Sequence, residues 1–458
     1  MKLPRLLACR LICNRTLLPL VVATALVATF AAGTAAGEDL LQIYREAQKS
    51  DPQLAAARAS WEATQEKVPQ ARAGLLPSVS AAGTANYNNY DFHADIDPSQ
   101  DFNRNYYQYG LTVSASQPLY RPQNVALYDQ AKQQVTQSDY TLVIAQQDLI
   151  IRTAVAYFDV LLAEFNVELA AQQKLAVAEQ LAQAKRNFEV GTATITDTNE
   201  AQAKYDQIVA TEIQALNDLD RRRTALRAII GRFPRSLTRV GRGFDPDPPK
   251  PNTLDYWVDK AVTDNMNVRF QQANYQIAVL EVERAKAGHY PTLDLVASYG
   301  GQASNGGVSV GVRSNSLQGL VGVQLNIPIY TGGFVNSRVR EAIALQDKSR
   351  QDLETARRTA ITNAQDGFSG VNSAVASVKA NEQAVQSAEV ALQSNKLGQE
   401  VGIRTNLDVL NVQQNVFSAR RDLANAYFTY LLATLRLKAA VGTLDEQDLA
   451  DLNRRLNG

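Results

Sequence analysis

Two periods alternate along this chain. From Glu38 to Ala73, small and apolar residues recur at helical spacing among Gln, Glu and Lys; Asp51-Pro52 reads as a start signal within that stretch, and Gly74 and Pro77 end it. The period then drops to two. Val79, Ala81, Ala85 and Tyr87 hold odd positions, with Ser78, Ser80, Thr84, Asn86 and Asn88 between them. After a polar loop, Asp91 to Asn105, the alternation resumes as Tyr107, Tyr109, Leu111, Val113 and Ala115 against Gln108, Thr112, Ser114 and Ser116. Such alternation predicts strands with one apolar and one polar face. From Pro122 to Glu189 there is no further Pro and no Gly, which predicts one helix of about 100 Å. Tyr128, Val135, Leu142, Leu149, Ala156, Ala163, Ala170, Val177 and Ala184 fall at every seventh position of it and make a coiled-coil seam. Val190-Gly191 predicts a turn, and a shorter helix follows to about Gly231.

The same order returns about 210 residues later. Ala285-Lys286-Ala287-Gly288 with Pro291 answers Ala71-Arg72-Ala73-Gly74 with Pro77; Pro328-Ile329-Tyr330 answers Pro118-Leu119-Tyr120; Val401-Gly402 answers Val190-Gly191. Leu293, Leu295, Ala297 and Tyr299, then Val321, Val323, Leu325 and Ile327, repeat the alternation, and Ala364, Val371, Val378, Val385 and Leu392 repeat the seam. The chain therefore reads as a tandem duplication. Its first repeat is 38–232, with a strand hairpin at 78–116, a long helix at 122–190 and a helix at 197–232. A Pro-rich linker at 233–252 joins it to a second repeat, 253–442, with a hairpin at 291–328, a long helix at 336–401 and a helix at 407–442. A C-terminal tail, 443–458, closes the chain.

Residues 1–37 stand apart. Lys2, Arg5, Arg10 and Arg15 precede an apolar run from Leu17 to Phe30 and the small residues Ala31 to Gly37, the pattern of a secretory signal peptide. Both cysteines, Cys9 and Cys13, lie inside it, so the mature chain has no thiol for disulfides, catalysis or metal. The 46 basic residues balance 46 acidic ones over the whole chain, and four of the cations belong to the leader, which leaves a mildly acidic remainder. No basic patch interleaved with aromatics suggests nucleic acid. His93 and His289 are the two histidines, neither within a motif, and no Gly-x-Ser-x-Gly, phosphate-loop or His-Glu-x-x-His pattern occurs. No enzyme activity and no cofactor are expected, and isolated carboxylates such as Asp294 read as solvated groups.

An exported chain without a membrane-crossing helix in its mature part is either free in the periplasm or a β-barrel. The expected strands, about ten residues each, suit a tilted membrane crossing. Tyr87, Tyr107, Tyr109 and Tyr299 read as an interfacial aromatic girdle. Four strands cannot close, because a lipid-exposed edge leaves amides and carbonyls without partners. The smallest barrels need about eight strands, so copies of the chain must share one wall; three copies would give about twelve and room for a channel.

The chain resembles the TolC family of outer membrane factors, the ducts of type I secretion and tripartite efflux. The resemblance runs from about residue 38 to 458. It is carried by Gly288-His289-Tyr290-Pro291-Thr292-Leu293-Asp294-Leu295, Pro328-Ile329-Tyr330-Thr331-Gly332-Gly333, Val401-Gly402-Ile403-Arg404-Thr405 with Asp408-Val409-Leu410, and Gly442-Thr443-Leu444-Asp445-Glu446-Gln447-Asp448-Leu449. It implies an α+β membrane protein: a homotrimer with a 12-stranded outer membrane barrel, four strands per chain, continued by a long periplasmic coiled-coil barrel that tapers shut at the turns around Gly191 and Gly402. The partners it implies are outer membrane lipid, a periplasmic membrane-fusion adaptor and an inner membrane ABC or RND-type transporter. It further implies a periplasmic gate in which Arg404 reaches to Thr196 and Asp197 and Asp408 supplies a carboxylate ring. The family's second acidic position is Asn411 here and its bonding tyrosine is Gln399, so cation block is expected to be weaker and one closing contact is either missing or remade. Thr405-x-x-Asp408 and Asp197-x-x-Glu200 also read as capping boxes or first-turn acids stabilised by the helix dipole, a role compatible with the gate.

The competing class is an exported coiled-coil spacer or adhesin without transport. It predicts helices without paired amphipathic hairpins, and the four strand patterns argue against it.

Overall fold

A computed structural model describes residues 37–93, 95–96, 99, 101–239, 245–306 and 312–457, with the side chains of the last three left aside. The expected leader, apart from Gly37, lies outside the described residues. The chain runs α1 (Leu40–Ser50), α2 (Pro52–Gln65), α3 (Lys67–Ala73), β1 (Ser78–Phe92), β2 (Phe102–Tyr120), α4 (Pro122–Glu189), α5 (Ile195–Ile230), α6 (Leu254–Asp264) and α7 (Met266–Lys286). A short 3-10 helix (Ala287–His289) leads into β3 (Thr292–Ser304), β4 (Ser314–Asn326), α8 (Phe334–Glu400), α9 (Asn406–Ala440) and α10 (Glu446–Asn457).

Several elements differ from their sequence patterns. The stretch from Glu38 to Ala73 is three helices. Asp51 ends α1 and caps α2, its carboxylate accepting from the Leu54 amide at 2.8 Å while Pro52 fills the first turn. The strands reach 15 and 19 residues in the first hairpin and 13 each in the second. Both ends of the Asp91–Asn105 stretch belong to the ladder, which closes at Phe92↔Phe102; Asn89 and Asn105 bond at 2.8 Å and aromatic rings pack beside them, so the connection between the strands is shorter than the polar run. Polar composition hid these cross-strand pairs. Residues beyond 443 form α10. Asp445 and Asp448 cap it reciprocally, and Leu449 and Leu452 enter the same core as Leu40 and Ile43.

The four strands make one antiparallel sheet in the order β1-β2-β3-β4. Val79↔Ala115, Val113↔Tyr299 and Ala297↔Val321 pair across it, so odd residues of all four strands share one face. That face carries Val79, Leu111, Val113, Tyr299, Leu317, Val321, Val323 and Leu325, and all are exposed. Tyr299 sits mid-strand opposite Val113 rather than at a hairpin end, so it belongs to the apolar band and not to the upper girdle.

Helix α4 is the spine. It packs against α5 in one antiparallel hairpin, against α7 and α3 near the sheet, and against α9 of the second hairpin, α8/α9. Six of its nine seam residues, from Leu149 to Ala184 in steps of seven, are buried, which the every-seventh pattern requires. The main core gathers where the hairpins meet the short helices: Leu40, Ile43, Leu149, Tyr157, Phe158, Leu226, Ile230, Leu431, Leu435 and Leu449. Phe158 and Phe428 carry it across from α4 to α9, their ring centroids 5.4 Å apart. Two tyrosines hold the linker against it. The Tyr157 hydroxyl donates to the Thr238 carbonyl at 2.9 Å, and the Tyr430 hydroxyl donates to the Asp247 carbonyl at 2.9 Å.

Sheet and helices are tied at one corner. Arg121, between β2 and α4, donates from Nε to Asp294 Oδ1 at 2.7 Å and from Nη2 to Oδ2 at 2.6 Å. Asp294 is 6% exposed, so it is a buried, forked partner and not the solvated group its sequence context suggested. Arg121→Leu strands that carboxylate. We expect a loss of about 2–3 kcal/mol, below the usual figure for a buried pair because the arginine is partly solvated. Adding Asp294→Asn should restore most of it. The melting of the β signal in circular dichroism checks both.

Candidate functional site

The two ends of the molecule carry different chemistry. At one end stands the sheet. The ten steps along β2 from Tyr109 to Leu119 cover about 33 Å along a strand and about 25 Å of height at barrel tilt, the thickness of a lipid-facing band. Tyr87, Tyr107 and Tyr109 crown this band, with Tyr87 and Tyr107 centroids 5.1 Å apart, and the exposed Tyr120, Tyr290 and Tyr330 lie near its helical rim. The even face is lined by Ser80, Thr84, Gln108, Thr112, Ser114, Ser298 and Gln324. No described helix covers the apolar face, and none is long and apolar enough to cross a membrane. A bare apolar face 25 Å tall with a polar reverse is what a barrel wall between lipid and water presents.

At the far end of α4 and α8, the chain turns. Gly191 and Gly402 adopt φ of +82° and +77°, the left-handed region that closes a helix in one residue. In each turn a later amide bonds back over the glycine: Thr192 N to Asn187 O at 2.8 Å, and Ile403 N to Gly398 O at 2.9 Å. Nothing crowds either glycine, so backbone conformation alone demands it.

Each turn then launches a helix through a reciprocal cap. The Thr405 amide donates to Asp408 Oδ2 at 3.0 Å, and the Asp408 amide donates to Thr405 Oγ1 at 3.2 Å. In the first turn the cap is Thr194 with Asp197 as its partner, at 2.9 and 3.2 Å. Asp197 is thus the third residue of α5 and not its cap, and the box expected with Glu200 is not formed; Thr194 precedes it and takes that place. The bonds from the Thr405 amide and hydroxyl, with Arg404 nearby, hold the Asp408 carboxyl below its ordinary range.

The other residues expected at a gate sit around these caps. Thr196, Arg404 and Asn411 are exposed. The stem of Arg404 lies over Gly398, where a Cβ would come within 2.7 Å of its Cγ. Among the described residues its guanidinium has no hydrogen-bond partner, so within one chain Arg404 does not reach Thr196 or Asp197. Gln399 Nε2 reaches Asn406 Oδ1 at 3.4 Å, inside its own turn.

Sequence reasoning missed what joins the two hairpins just above. Leu410 of α9 packs among Val177, Leu181, Ala184, Ala201 and Ile208, and Gln180 Nε2 donates to Gln413 Oε1 at 3.0 Å. Gln180 lies one turn past the seam residue Val177, and that placement was the available signal. The turns also expose Val190, Ile195, Leu397, Val401 and Ile403. No cluster of His, Cys, Asp or Glu suited to a metal occurs among the described residues.

A lipid-sized sheet at one end and a bundle of water-exposed helices about 100 Å long at the other define an outer membrane channel that extends into the periplasm. Comparison with known proteins gives the same class. The model of the family described as "Outer membrane efflux protein" matches residues 43–232 and again 257–443. The "Outer membrane protein TolC" of Vibrio cholerae is 34% identical over 445 residues, covering 96% of this chain and 99% of the relative. The "Proteases secretion protein PrtF" of Dickeya chrysanthemi is 32% identical, covering 93% of each. The solved outer membrane protein VceC of Vibrio cholerae superposes with a TM-score of 0.74 at 20% identity, over 88% of this chain and 96% of that one.

The chain belongs to the outer membrane efflux protein family. It is an outer membrane channel for secretion or efflux and not an enzyme.

Because the Asp408 pKa is lowered on folding, the cap is intact above the ordinary carboxylate range and is lost as pH falls through the lowered value. Amide exchange at Thr405 and Asp408, corrected for intrinsic rate, should be flat from about pH 5 to 8 and should rise below about pH 4. Asp408→Asn should remove the acid limb.

Proposed function

We propose that three copies of this chain form one duct, and the single observation that carries this is the pair of unpaired edges on an otherwise lipid-ready sheet. The order of elements supports a ring. Near the sheet, α3, α4, α7 and α8 lie side by side; near the turns the order is α5, α4, α9, α8. One side of the chain therefore presents β1, α3 and α5, and the other presents β4 and α8. Unlike sides meet head to tail, and such contacts close into rings. Two copies would give an eight-stranded barrel whose interior side chains fill, whereas three give about twelve strands and an open lumen.

In this assembly the helical turns meet near the axis. Asp408 contributes one carboxylate per chain, and Arg404, without a partner in its own chain, has Thr196 or Asp197 of a neighbouring copy within its reach as ring closure brings the hairpins together. With Asn411 and Gln399 in place of an acid and a tyrosine, this gate is held by few polar contacts. An exposed ion pair contributes about 0–1 kcal/mol, so a threefold set closes the mouth yet yields to a docking partner. The bare apolar residues Val190, Ile195, Val401 and Ile403 offer that partner its contact. The partners in this reading are a periplasmic adaptor and an inner membrane transporter of the ABC or RND type, which supply the energy and select the cargo, protein or small molecule. The protease-secretion relative favours a share in protein export.

Heat-modifiable migration as a trimer, together with fractionation to the outer membrane, tests the assembly; a chain that migrates singly and fractionates with soluble proteins rejects it. For the gate, Arg404→Ser should raise single-channel conductance in planar bilayers, with open probability up by at most about fivefold per lost contact. Unchanged conductance removes Arg404 from the gate.

A further inference from the structure

The β1–β2 hairpin changes sides partway along. Up to Tyr87 and Tyr107 its odd residues are apolar and its even residues polar. Beyond them the assignment reverses: Tyr90, Phe92, Phe102 and Tyr106 stand at even positions, and Asn89, Asp91, Asn103 and Asn105 at odd ones. The register runs without a shift from Ser78↔Ser116 to Phe92↔Phe102, so no bulge rotates the faces. The aromatic residues therefore lie on the same face as Thr84, Gln108, Thr112 and Ser114, opposite the Tyr87–Tyr107 pair. Tyr90, Phe92 and Phe102 pack as a cluster, with centroids 6.5 Å apart for Tyr90 and Phe92, 5.2 Å for Phe92 and Phe102, and 6.0 Å for Tyr90 and Phe102. The Arg104 guanidinium lies 4.5 Å over the Phe102 ring. Strand β3 ends at Ser304, opposite Gln108, so the cluster stands beyond the last rung of the four-stranded sheet.

The polar residues on the outer face fit a hairpin that has left the membrane for water. Aromatic residues on the pore face need another reason, since Ser, Thr and Gln already line the wall below. An apolar constriction sheds water and so resists ions, while an apolar or aromatic side chain can enter it at little loss. Resting on the trimeric barrel above, we propose that Tyr90, Phe92, Phe102 and Tyr106 form an aromatic collar at the extracellular mouth. It is a second constriction, separate from the helical turns, that favours passage of extended apolar cargo over water and ions.

The mature chain has no cysteine, so single thiols report access from outside intact cells without regard to the periplasmic gate. Ser114→Cys places a thiol on the pore face below the collar, and Val113→Cys places one on the opposite face. A small charged thiol reagent should label Ser114→Cys and spare Val113→Cys. A bulky one should label Ser114→Cys slowly, and about tenfold faster when Phe92→Ser and Phe102→Ser are added. Phe92→Trp, which keeps the cluster apolar and guards against a folding defect in the double variant, should slow it further. Equal labelling by the bulky reagent in native-collar and opened-collar proteins overturns the collar. Equal labelling of Ser114→Cys and Val113→Cys by the small reagent instead overturns the barrel.

Discussion

Along the free sides of β1 and β4, a row of backbone amides and carbonyls has no strand partner among the described residues, and hydrocarbon offers none. Each unsatisfied group in lipid costs several kcal/mol, so a four-stranded sheet with a lipid-facing surface is not a finished object. The apolar odd face brings the sheet into the membrane, and the free edges forbid it from staying there alone. Together they make assembly a condition of insertion. The helices carry the same asymmetry, because α3 and α5 continue the side of β1 and α8 continues the side of β4.

In the proposed ring the long helices would form the conduit. Their seams are rich in alanine, so neighbours approach closely and leave Gln, Asn and charged residues on the remaining surface. The core between hairpins and short helices, around Phe158, Phe428 and Leu449, fixes where they diverge. At their far ends the Leu410 cluster and the Gln180–Gln413 bond join the two hairpins of a chain, a small contact beside the main core. The molecule is thus held firmly at mid-height and loosely at the turns, a distribution suited to a mouth that opens while the wall stays closed.

The parts legible in the sequence were those with a strict period. The strand faces followed from alternation, and α4 and α8 from the every-seventh seam and the scarcity of Pro and Gly. What the sequence hid depended on partners far away. Asp294 looks like an isolated carboxylate until Arg121, 173 residues earlier, is seen to grip it. The stretch from Asp91 to Asn105 looks like a loop because Asn and Asp favour turns, yet Asn89 and Asn105 find each other across the ladder. The tail past Thr443 became a helix through a core contact with α1 that no local pattern announces. Of the turns, both glycines and the Thr405 cap were visible; Asp197 does stand in the first turn of its helix, but as the partner of a Thr194 cap and not in a box with Glu200. Arg404 has no hydrogen-bond partner among the described residues, and its proposed contacts wait on the assembly.

The most direct measurement is disulfide formation between the two free edges. Within a chain β1 and β4 are three strand spacings apart, about 14 Å, well beyond the roughly 7 Å that a disulfide spans between Cα atoms. A cysteine in β1, combined in turn with cysteines along β4 in a chain that has none after Cys13, can therefore bridge only between copies. The account predicts that at one register oxidation yields a covalent trimer on a denaturing, non-reducing gel. Monomer alone at every register, or dimer with nothing larger, would contradict it.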